Sequence, residues 1–186
     1  MPSVASPYGC LPMKTIGGGA NINRTPYKIA TTYSTGIFFG DVVKIGSDGT
    51  LQKDTGTATA TPVGIFVGCQ YTDATLGFIS RQYWPASTAA TDAIGFVADD
   101  PDLVFMVQSG SAVAQADIGQ NAALVQGAGS TATGKSTVTI DSLNTTSTLP
   151  VRIIGFSESP LNAPGDTYCD VLCIWNTPWL RVATGI

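Results

Sequence analysis

From about residue 37 onward, apolar and polar positions come in short strand-length runs. Val, Ile, Phe, Tyr and Thr cluster, and Gly, Asp, Asn and Pro separate the clusters. The pattern predicts strands at 41–45, 63–71, 77–83, 94–98, 104–108, 122–125, 137–141, 151–156 and 168–175. Ser47-Asp48-Gly49 lies between Val42-Val43-Lys44-Ile45 and Thr50-Leu51-Gln52-Lys53, which predicts a tight hairpin. The Thr/Ala/Gly stretch 55–61 predicts a loop. Only 112–124 has helical potential, and Gly119 interrupts it. Many short strands with little helix predict an all-β fold, a compact barrel or sandwich of antiparallel strands. Pro62-Val63-Gly64-Ile65-Phe66 echoes Pro150-Val151-Arg152-Ile153-Ile154, which raises the prospect of two related β units.

The first 37 residues differ. They hold Pro2, Pro7, Pro12 and Pro26 and the run Gly17-Gly18-Gly19, so they cannot form a long helix. Apolar residues still punctuate them. Spaced anchors on an extended backbone predict an N-terminal arm (1–37) that orders on a partner, ahead of a β-rich body (38–176) and a C-terminal tail (177–186). Tyr8, Lys14, Arg24, Tyr27 and Lys28 are the expected arm anchors.

Charge sharpens this picture. Charged residues make up 12% of the 186 positions, about half the usual share of ~25%. The exposed surface must therefore draw on small uncharged side chains, which lose little entropy when a neighbour covers them. The net charge of −4 offers no basic excess for phosphate contacts, so no direct nucleic-acid partner is expected. Residues 1–40 carry Lys14, Arg24 and Lys28 without an acid, whereas 90–120 carry Asp92, Asp99, Asp100, Asp102 and Asp117 without a base. Met1-Pro2-Ser3 has no leader character, and no apolar run is long enough to span a membrane.

Candidate chemistry is thin. Gly129-Ser130-Thr131-Ala132-Thr133-Gly134-Lys135-Ser136 fits a phosphate-loop pattern, which raises a nucleotide-dependent enzyme. That chemistry needs a helix to begin at the lysine. Here Ser136-Thr137-Val138-Thr139-Ile140-Asp141 predicts a turn entering a strand instead. Histidine is absent, so a Ser-His triad is impossible and the commonest transition-metal ligand is missing. Glu158 is the only glutamate. Cys169 and Cys173, four apart on a predicted strand, would lie ~13 Å apart, too far for a disulfide or a shared zinc. They and the other two cysteines suit a small apolar role. Asp99-Asp100-Pro101-Asp102 could hold calcium, but a solvated turn is the more frequent outcome of such a cluster. No catalytic, cofactor or metal residue is assigned, and the chain is expected not to be an enzyme.

Among the aromatics, Trp84 precedes Pro85, and Trp175 and Trp179 flank Pro178. Core packing is the default for each. Tryptophan in a Pro-containing terminal segment also suits a subunit contact, so Trp175 and Trp179 are the expected interface residues.

The succession Ala116-Asp117-Ile118-Gly119-Gln120-Asn121-Ala122-Ala123-Leu124, Gly134–Asp141, Leu149–Phe156 and Gly165–Asn176 resembles small virion proteins of tailed phages, short-tailed ones in particular. Gly40-Asp41-Val42-Val43 and Pro62-Val63-Gly64-Ile65-Phe66-Val67-Gly68 are similar to the β unit of head decoration (cement) proteins. The likeness spans roughly residues 38–176 and rests on β-turn patterns. It implies a structural protein made in the host cytoplasm and bound to the outer capsid surface. Its partners would be the phage major capsid protein and other copies of itself, as a trimer in preference to a dimer. The alternative is a receptor- or carbohydrate-binding head-fibre or tail-associated module.

Overall fold

The computed structural model describes residues 4–19, 22–160 and 162–181. The fold is all-β, with twelve strands among the described residues in two antiparallel sheets packed face to face. The strands are β1 (Leu11–Thr15), β2 (Thr25–Lys28), β3 (Val42–Ile45), β4 (Leu51–Lys53), β5 (Gly64–Asp73), β6 (Gly77–Arg81), β7 (Ile94–Ala98), β8 (Leu103–Gln108), β9 (Asn121–Val125), β10 (Thr139–Asn144), β11 (Val151–Phe156) and β12 (Asp170–Trp175). One sheet runs β1-β8-β12-β11-β9-β10. The other runs β2-β7-β5-β3-β4, with β6 joined to β5. The sheets do not close into a barrel, so sandwich is the correct half of the barrel-or-sandwich expectation.

The two sheets repeat one design. Strands β2, β3, β4, β5 and β7 are ordered β4-β3-β5-β7-β2, and β8 to β12 are ordered β10-β9-β11-β12-β8. Numbered within each unit, both orders are the same. Local details repeat as well. Gly40 donates to the Phe66 carbonyl and Phe66 to the Asp41 carbonyl, each at 2.9 Å. Gly119 and Ile153 make the matching pair through Gln120, at 2.9 and 3.0 Å. Both glycines have positive φ, +88° and +94°, a backbone that favours glycine. Each unit then breaks register just before a glycine, between Phe66 and Gly68 and between Ile153 and Gly155. The Pro62/Pro150 echo in the sequence thus marks equivalent strands β5 and β11. Strands β1 and β6 fall outside the repeat.

Alternation explains which way each sheet faces. Val42, Ile65 and Ala98 point into the core between the sheets, with Leu103, Phe105, Val107, Val171 and Cys173 opposite. Their neighbours Val43, Phe66 and Val97 point the other way, into a second core with Ile29, Ile37, Trp84 and Ala90. The sheet containing β5 is therefore buried on both faces, one by the partner sheet and one by loop segments. This accounts for the near-continuous apolar run in β5, where a half-exposed strand would alternate.

Three expectations need correction. The N-terminal segment is not a free arm: β1 pairs with β8, and β2 begins the first repeated unit by pairing with β7. Pro12 and Pro26 fall on the edge strands β1 and β2, where a missing N–H costs nothing in the ladder. Residues 112–124 form no α-helix but a 3-10 turn at Gln115–Asp117 followed by β9, with Gly119 marking the break. In the C-terminal segment, residues 177–181 dock on the body: the Trp179 amide donates to the Pro62 carbonyl at 2.9 Å, and Trp179 packs against the second core. The rest of the expected tail, 182–186, lies outside the described residues, as do 1–3 and 20–21 of the expected arm.

Candidate functional site

The loop 126–137, which contains the phosphate-loop match, joins β9 to β10 and is tied to β3 and β4 of the other sheet by a buried polar cluster. Asp41, at the entry to β3, is fully buried. Its carboxylate pairs with the Lys53 ammonium of β4 at 3.0 Å, both side chains being almost inaccessible. It also accepts hydrogen bonds from the Ser136 hydroxyl at 2.6 Å and the Phe38 amide at 2.8 Å. Lys53 donates in turn to the Gly127 carbonyl at 2.7 Å. Burial pushes the Asp41 carboxyl up, against the opposing pull of Lys53, Ser136 and the Phe38 amide. Sequence reasoning missed this pair, because Asp41 and Lys53 each look like an ordinary strand-end charge.

No helix follows Lys135. The Gly134 amide donates to the Ser130 carbonyl, the Lys135 amide to the Thr133 hydroxyl and the Ser136 amide to the Phe39 carbonyl. A phosphate cradle needs such amides free and converging. Here they hold the loop together, and Ser136, the hydroxyl that would meet a magnesium ion, serves Asp41.

Two clefts flank this loop. One, of about 460 Å³, is walled by Phe38, Tyr83, Trp84 and Pro85, with Lys53 and Gln126 also lining it. Phe38 and Tyr83 stack at 5.5 Å. Gly129 lies so close to Phe38 that a Cβ there would sit 2.3 Å from the ring. The other cleft, about 490 Å³, lies between the N-terminal segment at Tyr8 and the loop at Lys135.

The expected anchor residues fall into two groups. Tyr8 and Tyr27 are half-buried and spent internally: Tyr8 donates to Asp170 at 2.8 Å and Tyr27 to Asp99 at 2.7 Å. Lys14, Arg24 and Lys28 are exposed on or beside the edge strands β1 and β2. Apolar Met13 and Ile16, on and just past β1 beside Lys14, are 44% and 58% exposed, and Val4, whose carbonyl accepts from the Gln108 side chain, is 76% exposed. Trp175 is not on the surface. It is 4% exposed and packs on Phe105 at 4.4 Å, because the alternation of β12 turns it into the inter-sheet core. Trp179 is half-buried against the second core.

The aspartates at 99–102 are also spoken for. Asp99 accepts from Thr25 and Tyr27, Asp100 caps the Asp102 amide, and Asp102 pairs with Arg181 at 2.7 Å. No cluster of three metal-ligating side chains occurs among the described residues. No helix among them is long and apolar enough to cross a membrane.

All four cysteines are buried and free. Burial raises the thiols of Cys10 and Cys173 far above their ordinary value and that of Cys69 to about 12. The folded chain then keeps protons that the unfolded chain has already released. Stability should hold below the ordinary thiol range and fall from about pH 9 upward, by ~1.4 kcal/mol per pH unit for each fully buried thiol. Tyr8 and Tyr27, also raised, act in the same direction at higher pH. Urea midpoints measured from neutral to strongly alkaline pH check this, and a flat profile would contradict it.

The chain matches no protein-family model, no curated protein and no solved structure.

Proposed function

We propose that this chain is a structural protein of a tailed-phage head, a decoration protein that binds the outer capsid surface and stabilises the shell against the pressure of packaged DNA. The observation that carries the proposal is the edge of β1. Met13, Lys14 and Ile16 stand exposed on and just past this strand, on a charge-poor molecule whose buried polar groups are mostly spent on holding its own loops. An apolar strip beside a cation on a rigid sandwich suits attachment to another protein. Many copies on one shell act together, so modest affinity per copy is enough. The reading joins this edge to the likeness to head decoration proteins.

The test uses heads that lack the protein. Deleting the N-terminal segment would remove two edge strands, so point changes are the cleaner instrument. Lys14→Glu with Met13→Asp and Ile16→Asp should leave the melting temperature nearly unchanged and lower occupancy on expanded heads at least tenfold. Heads decorated with the variant should lose DNA on heating as bare heads do. Full occupancy by the variant would refute this role for the β1 edge.

A second reading, a receptor- or carbohydrate-binding module, is favoured by the aromatic cleft at Phe38, Tyr83 and Trp84. Sugar binding by a chain with no affinity for heads would support it over the first.

A further inference from the structure

Natural sheets protect their edges with proline, lysine, bulges or very short strands. Four of the five edges here follow that rule. β1 contains Pro12 and Lys14 and breaks register between them. β2 contains Pro26 and Lys28. β4 has only three residues, and an isolated bridge joins Ile29 to its Leu51. β10 breaks register between Asp141 and Asn144 and has Ser142 at positive φ.

β6 follows none of it. Gly77-Phe78-Ile79-Ser80-Arg81 has no proline and no lysine, and it pairs with β5 in unbroken register over all five residues. Among the described residues it has one strand neighbour, and its backbone makes no main-chain hydrogen bond outside that pairing. Phe78 is 69% exposed and Leu76, in the turn before it, 67%. The β5–β6 hairpin is also an addition to the repeated unit: the described residues between β11 and β12 form no strand.

We propose that β6 is the interface with a second copy of this chain, the two β6 strands pairing antiparallel about a two-fold axis to join their sheets. Charge selects this occupant. Arg81 lies at one end of the strand, and Asp73, paired with Gly77, lies at the other. Antiparallel pairing brings each Arg81 toward the acidic end of its partner, whereas parallel pairing would set like against like. A two-fold contact also closes on itself, so the edge is used up and no fibre grows. This is a dimer, where the sequence led us to expect a trimer in preference.

The proposal does not rest on the capsid reading, since association is measured in free solution. Sedimentation equilibrium of the full chain from low to high micromolar concentration should show a monomer–dimer equilibrium. Phe78→Lys with Ser80→Lys, both exposed positions, sets lysines against lysines across the axis and should weaken the dimer about tenfold or more. Melting at dilute, monomeric concentration should barely move. Mixing this variant with Phe78→Glu/Ser80→Glu should restore dimers of mixed composition. A chain that stays monomeric throughout, a trimer, or a dimer indifferent to these changes would each overturn the proposal. Monomers that pair through β6 only with another protein would do so as well.

Discussion

Asp41→Ala should destabilise the protein by ~3–5 kcal/mol, the range for removing one partner of a buried ion pair. The loss has three parts. The Lys53 ammonium stays buried without its carboxylate, and the Ser136 hydroxyl and Phe38 amide lose their acceptor. At roughly 2–4 °C per kcal/mol for a chain of this length, the melting temperature should fall by about 10 °C. Adding Lys53→Met removes the stranded charge, so the double variant should recover a large part of the deficit. Calorimetry of the wild type, both single variants and the double variant checks the cycle. The same change should free the loop 126–137, whose Ser136 and Gly127 are held through this pair, and hydrogen exchange there should speed up. A single-variant cost below ~1 kcal/mol would mean that water relieves the charge and that the cluster is not the anchor described.

Trp175→Ala should cost a similar ~3–5 kcal/mol, because it empties a large space between the sheets where only partial collapse is possible. Phe105 would lose its ring partner, and the β12 segment that opposes Val151 would lose its largest side chain. Trp175→Phe should be much milder. It keeps an aromatic ring beside Phe105, and the indole N–H it removes has no hydrogen-bond partner. Neither change should alter the monomer–dimer balance of the protein that remains folded. Urea unfolding read by circular dichroism, alongside sedimentation, separates the two effects. Altered association with unaltered stability would restore Trp175 to the interface role its sequence context suggests.

Much of the fold was legible in the chain. Strand-forming runs and turn residues act locally, so nine strands and the Ser47-Asp48-Gly49 hairpin could be read within a few residues of where they occur. The β-branched run after Lys135 was enough to predict a strand in place of the helix a phosphate loop needs, and β10 is that strand. The Pro62/Pro150 echo marked the repeat, although only the strand order shows that whole five-strand units are duplicated. The candidate surface was half legible. Lys14, Arg24 and Lys28 are exposed, while Tyr8 and Tyr27 donate to Asp170 and Asp99, carboxylates far away in sequence.

What the sequence determined by itself is the β character, the turns, and a surface poor in charge, because these depend on each residue and its near neighbours. The tertiary structure alone decided that Trp175 is core, that the first 37 residues contribute strands to both sheets, that Asp41 meets Lys53 in the interior, and that β6 ends uncovered. Each of these depends on which strand lies alongside and which face is covered. Trp175 meets Phe105 from 70 positions away, and even Lys53, 12 positions from Asp41, reaches it from another strand, so no local pattern encodes these contacts.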